Sequence, residues 1–254
     1  MRWIALVLTV AIGMAGDVVS AAEEVDLELV ILADASRSID NAEIRFQRQG
    51  YADAITHPDV LGAIGQGFRQ KIAVTYVEWG DSASQDIVVP WTIIDGDDAA
   101  GAFAAALLDA PRRAHGPNAI GNALAAAQTL IENNDVSAFR RVIDFSGDSA
   151  NNFGGMSIAE ARASALAADI VINGLAILCR QDDCSGRPNL YDLEDAFTKT
   201  IVGGPGSFVV TADDRPSFAD AVRRKLILEI ADLDRRILLQ LDSAVSDAGR
   251  EQDR

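Results

Sequence analysis

Apolar runs alternate with helix-period segments along almost the whole chain. Strand-like runs occupy Val25–Ala33, Lys71–Trp79, Gln85–Ile93, Arg140–Phe145, Ile170–Leu178 and Ser207–Thr211. Several are apolar nearly throughout rather than at every second position, the signature of parallel strands covered on both faces. Lys71–Trp79 differs, because only Asp81-Ser82 and their neighbours separate it from Gln85–Val89. So short a connection predicts a hairpin, and hence one antiparallel edge strand.

Helical spacing fills the intervals. Asp40 followed by Glu43 forms a capping-box pattern before a helix that places Ile44, Tyr51 and Ile55 on one face. Ala119–Asn133 repeats Ile120, Leu124, Ala127 and Ile131, and Ser157–Ala168 is alanine-rich. A last helix starts near Ser217 and runs through Leu226, Ile230 and Leu233, as far as Leu241 on a longer reading. Its apolar stripe suits packing on a sheet, and its few heptads leave a coiled-coil contact as the alternative. The pattern predicts a doubly wound three-layer α/β/α sandwich with a mostly parallel sheet.

Chemistry gathers where strands end. Asp34, Ser36 and Ser38 follow the first strand on alternate positions, and open α/β sheets hold ligands at strand carboxyl ends. A carboxylate with two hydroxyls suits a small hard cation, Mg²⁺ first and Mn²⁺ or Ca²⁺ after it. Asp148 stands just beyond the Arg140–Phe145 strand, and Asn118 precedes the Ala119 helix. Together these loops offer two carboxylates, two hydroxyls and an amide oxygen. Each residue also has a structural use, since Asp and Ser cap helices and shape turns, and Ser38 is placed to cap the helix that follows. Asp144 reads as an ion-pair partner of Arg140 or Arg141. Arg112, Arg113 and His115 read as a solvated face, or as a surface that meets an anionic ligand beside the ion.

Catalytic patterns fit less well. Gly147-Asp148-Ser149-Ala150-Asn151 is a partial nucleophile elbow around Ser149 that lacks its final glycine, and both histidines, His57 and His115, precede it. No glycine-rich phosphate loop leads to a Lys-Ser/Thr pair, and no second acid follows Asp34 as a phosphoryl-transfer site would want.

Charge and the termini set the context. The 254-residue chain carries a net charge of −16, which argues against nucleic acid and anionic lipid as partners. Arg2, the apolar stretch Trp3–Met14 and Val19-Ser20-Ala21 predict a signal peptide over residues 1–21, cleaved after Ala21. An uncleaved anchor is the alternative, though the apolar core is short for a bilayer. The remaining divisions are a domain over 22–236, then the end of the last helix and a polar tail over 237–254. A mature chain without a transmembrane segment would be periplasmic or secreted. In that oxidising setting Cys179 and Cys184 read as a disulfide rather than half of a zinc site.

Asp34-x-Ser36-x-Ser38, the polar residue opening Ala119-Ile120-Gly121, and Gly147-Asp148 together resemble the metal-ion-dependent adhesion site of von Willebrand factor A domains. Ser146-Gly147-Asp148 with Asn151-Asn152, Gly203–Phe208 and Arg223-Arg224-Lys225-Leu226 resembles, more narrowly, a family of secreted bacterial von Willebrand A-like proteins of unassigned function. The resemblance spans Val25 to Ala231. It implies direct ligation by Ser36 and Ser38, with Asp148 acting through water and Asn118 standing where the family usually has threonine. It also implies a non-enzymatic module whose ion meets an Asp or Glu of a protein partner. A structural or assembly subunit with an idle site, docking through its last helix, is the alternative from another class. A serine hydrolase using Ser149 is the third.

Overall fold

The structure, a computed structural model, describes residues 22–178, 191–212 and 217–231. Six strands form one sheet: β1 (Glu23–Asp34), β2 (Ile72–Trp79), β3 (Gln85–Ile94), β4 (Val136–Gly147), β5 (Val171–Ile177) and β6 (Val209–Ala212). Their order is β3-β2-β1-β4-β5-β6. All pairings are parallel except β2 with β3, the predicted hairpin. Apolarity explains the centre: every residue of β2 is buried, and so is β1 from Val25 onward, whereas edge strand β3 is only partly covered.

Seven helices among the described residues cover the two faces. They are α1 (Asn41–Ile55), α2 (Pro58–Gly65), α3 (Asp97–Asp109), α4 (Ile120–Glu132), α5 (Ile158–Ala167), α6 (Leu193–Thr200) and α7 (217–231). One core joins Leu29, Ile31 and Val74 to Tyr51, Phe103, Phe218 and Leu226. The other joins Val30, Leu32 and Ile143 to Leu124, Ala165 and Phe197. Each fully buried aliphatic or aromatic side chain contributes about 1.5–3 kcal/mol, so both faces of the sheet are energetically committed. The apolar face of α7, with Phe218, Ala221, Val222 and Leu226, is spent inside the first core.

The capping box forms as the sequence predicts. Asp40 Oδ1 accepts the Glu43 N–H at 2.9 Å, and Glu43 Oε2 accepts the Asp40 N–H at 2.7 Å. Ser157 caps α5 through the Glu160 N–H. Three helices escape the periodicity. α2 is short and uses His57 Nδ1 as its cap ahead of Pro58, α3 is an alanine-rich segment without a side-chain cap, and α6 has only eight residues. Strand β4 begins at Val136, four residues earlier than expected, because its amino-terminal part pairs with Glu23–Val25 of β1.

Asp144 requires a correction. Its partner is neither Arg140 nor Arg141 but Lys225 of α7, at 2.6 Å with both side chains fully buried. Lys225 also binds Glu229 at 2.5 Å, and Asn173 of β5 donates to the same Glu229 oxygen at 3.0 Å. Arg140 reaches the Glu229 backbone carbonyl, and Arg141 reaches that of Ala168. The expectations for residues 1–21, for Cys179 and Cys184, and for the tail from Leu233 lie outside the described residues.

Candidate metal centre

Strand order puts the centre at one place. The chain leaves β1 for neighbours on opposite sides, β2 and β4, so the sheet's direction of winding reverses between β1 and β4. A crevice opens at such a switch point beyond the strand carboxyl ends. Asp34 is the last residue of β1, and Asp148 follows the last residue of β4.

Asp34 is fully buried. Its Oδ1 accepts the Ser36 N–H at 2.8 Å, a turn that folds the loop back over the strand end. The two serine hydroxyls lie 3.2 Å apart, and Ser38 Oγ donates to Asp148 Oδ1 at 3.2 Å. The residue that caps α1 is Asp40, which leaves the Ser38 hydroxyl facing this cluster. Four of the five predicted residues are thereby joined through side-chain and turn hydrogen bonds.

Asn118 enters through its backbone. Its carbonyl accepts the Phe153 N–H at 2.7 Å, pinning the 116–119 loop to the chain after β4. The same loop reaches the serine loop, where the Arg37 N–H donates to the Gly116 carbonyl at 2.8 Å. Gly116 adopts φ +97°, which favours glycine at this close approach. Thus all three predicted loops meet.

Electrostatics set the character of the centre. Asp34 Oδ2 is buried without a hydrogen bond of ordinary geometry. Burial, then the nearby Asp148 carboxylate, push the Asp34 carboxyl up to about 8, outweighing its hydrogen bonds from Ser36 and the Asp148 backbone. Asp148 is raised too, chiefly by burial, with Glu43 adding repulsion and the Ser38 hydroxyl opposing. Two buried carboxylates are thus held close together, an arrangement that a cation relieves. Hard oxygen donors, an orphaned carboxylate oxygen and excess negative potential all fit a divalent ion. Among the described residues no cluster of three or more His, Cys, Asp or Glu has metal-ligand spacing. The donors are carboxylates with hydroxyls, a set that suits Mg²⁺ because that ion readily keeps waters.

Three supporting residues were not singled out for this role by the sequence. Glu43 is buried beside Asp148 as well as serving the capping box. Gln47, one turn on, donates to the Asp34 carbonyl at 3.1 Å. Arg112 donates to the Ala35 carbonyl at 2.8 Å and to Asn41 Oδ1 at 3.0 Å, clamping the serine loop against α1. A signal did exist: Glu43, Gln47 and Arg48 are polar residues at helical spacing on the face of α1 that the apolar pattern turns inward. Around Ser149 no triad gathers among the described residues. Its hydroxyl lies 3.4 Å from Tyr191 Oη, while His57 caps α2 and His115 Nδ1 lies against the Arg113 carbonyl.

Residues 24–234 match the family described as "Protein of unknown function (DUF1194)". The chain belongs to that family. No curated protein matches it. Among solved structures, the DUF1194 chain is similar to proximal thread matrix protein 1 of the mussel byssus, with TM-score 0.56 and 16% identity over 83% of this chain and 47% of that one. It is likewise similar to a von Willebrand factor type A protein from Catenulispora acidiphila, with TM-score 0.55 and 15% identity over 82% and 43%. The open conformation of the pilus adhesin SpaC from Lactobacillus rhamnosus GG gives TM-score 0.55 and 15% identity over 82% and 30%. A further structure of the byssus protein, described as having a zinc-occupied MIDAS motif, gives TM-score 0.50 and 17% identity over 82% and 47%. At these identities the likeness establishes the von Willebrand A fold. The DUF1194 chain spans less than half the length of each of these proteins.

Proposed function

We propose that the DUF1194 chain is a divalent-metal-dependent binding module in which Asp34, Ser36, Ser38, Asp148 and Asn118 hold Mg²⁺, with Mn²⁺ or Ca²⁺ as substitutes. The observation that carries this reading is the buried, orphaned Asp34 oxygen facing Asp148 at the switch point. A bound Mg²⁺ supplies an electrophilic centre for a foreign oxygen. Asp34 provides fixed negative charge at the floor, held in orientation by the Ser36 N–H and through Gln47. Ser36 and Ser38 provide neutral oxygens, so the two carboxylates do no more than balance the ion, and an open coordination position stays electrophilic toward an acidic ligand. Asp148 and the Asn118 loop close the far side. A protein presenting Asp or Glu is the partner that this chemistry favours, and binding rather than catalysis is the activity.

The domain occupies residues 22–236, followed by the end of the last helix and its tail. Residues 1–21 serve as the signal peptide that places the chain in the periplasm or outside the cell, where Cys179 and Cys184 pair. No described helix is long and apolar enough to cross a membrane.

Thermal unfolding with and without Mg²⁺ tests the site. At a free concentration about 100-fold above Kd, one bound ion stabilises by about 2.7 kcal/mol. That corresponds to a Tm rise of roughly 5–10 °C for a domain of this size. The rise is expected in wild type and absent in Asp34→Ala; an equal rise in both proteins refutes the assignment.

A further inference from the structure

Beside the serine loop, α1 and the end of α3 enclose a groove of about 530 Å³. Three arginines line it, Arg45 and Arg48 from α1 and Arg112 from the segment after α3. On a chain of net charge −16, such a concentration of guanidinium is a local inversion of the field.

The three are not equivalent. Arg48 is neutralised by Glu78, with Nε at 2.7 Å and Nη2 at 3.0 Å from its two oxygens. Arg112 is held by neutral acceptors: the Ala35 carbonyl at 2.8 Å, the Ala114 carbonyl at 3.3 Å and Asn41 Oδ1 at 3.0 Å. Its charge therefore meets no carboxylate among the described residues. Arg45 is exposed and makes no ion pair with any of them. One free guanidinium fork thus stands beside a second, immobilised positive charge, with Ile44 and Leu108 supplying apolar walls. Planar forks of this kind recognise carboxylates bidentately.

The groove adjoins the metal centre through a single residue. The guanidinium of Arg112 that faces it also binds the carbonyls of Ala35 and Ser36, inside the Asp34–Ser38 loop. We propose that the groove receives a second carboxylate of the same acidic protein segment whose first acidic group meets the metal. This rests on the metal reading above and names its partner more closely: a segment with at least two Asp or Glu residues, not one isolated acid. Arg45 grips the second carboxylate, and Arg112 supplies fixed charge from the wall. The local field also resolves a difficulty, because an acidic ligand approaching a strongly acidic protein is otherwise repelled.

Fluorescently labelled hexaglutamate is the probe, with binding read by anisotropy in Mg²⁺ or in chelator. Wild type, Arg45→Gln and Arg45→Glu are compared, and Mg²⁺ uptake by each protein is measured separately by calorimetry. The expected result is equal Mg²⁺ uptake by all three, with hexaglutamate binding weakened about fivefold in Arg45→Glu and less in Arg45→Gln. Binding that is Mg²⁺-dependent but indifferent to both substitutions overturns the groove and leaves the metal reading standing. Binding that survives chelator yet falls with Arg45→Glu supports the groove while removing the metal reading. Absence of hexaglutamate binding by Mg²⁺-loaded wild type overturns the proposal.

Discussion

Replacing Lys225 by methionine is the most informative test of how the sheet is braced beneath the metal loops. Lys225, Asp144 and Glu229 are all fully buried, and among the described residues Lys225 is the cation that pairs with both carboxylates, at 2.6 Å and 2.5 Å. One oxygen on each acid, Asp144 Oδ2 and Glu229 Oε2, already lacks a hydrogen bond. Methionine fills similar volume, so the loss is electrostatic and not a cavity. Breaking a buried pair by removing one partner costs about 3–5 kcal/mol, because a charge is left uncompensated. Against a typical domain stability of about 5–15 kcal/mol, that is a large fraction. Urea denaturation at neutral pH reads it as a fall in the midpoint at constant m. A double change, Lys225→Met with Asp144→Asn, should recover part of the loss by removing the stranded charge on the strand. A Lys225→Met variant within about 1 kcal/mol of wild type at neutral pH refutes the reasoning, since even the low end of the range would be missing.

Two more outcomes follow from the same geometry. Burial, then Asp144, raise the Glu229 carboxyl to about 7, against the pull of Lys225. The folded state therefore keeps a proton that the unfolded chain releases above about 4.5, so this group makes stability fall as pH rises from there to about 7, by up to roughly 3 kcal/mol. Glu229→Gln should flatten that fall in urea midpoints measured across the window; an unchanged slope contradicts the assignment. At the start of α4, a methyl on Gly121 would stand 2.2 Å from the Met156 carbonyl oxygen, a backbone atom that cannot swing aside. Gly121→Ala should cost about 1–3 kcal/mol and weaken Mg²⁺ uptake by shifting the Asn118 loop. Unaltered stability by thermal unfolding would show that the loops are not locked together as described.

Local signals carried the frame of the molecule into its sequence. The largely apolar runs of β1 and β2 announced a buried parallel sheet, the Asp81 connection announced the hairpin, and Asp40 with Glu43 announced the start of α1. The Asp34, Ser36 and Ser38 spacing was legible because it depends on one strand end. The partner of Asp144 was not, because Lys225 lies 81 residues further on and a strand residue carries no record of which helix will cover it. Arg140, four residues before it and on the same face of β4, was a visible cation, yet it binds the Glu229 carbonyl. Arg112 was hidden for a similar reason. Its role comes from where α3 ends, and α3 has neither a cap nor a strong apolar stripe to predict it. Glu43 and Gln47 could have been found by asking why polar side chains sit on the inward face of α1.

A crystal grown with Mn²⁺ in place of Mg²⁺ addresses the central claim most directly, because manganese scatters anomalously and its position is read without prior phases from the site. The account predicts one strong anomalous peak per chain, within coordination distance of Asp34 or Asp148 and of the Ser36 and Ser38 hydroxyls. A fully loaded crystal with no peak there, or with its peak at some other cluster of carboxylates, contradicts it.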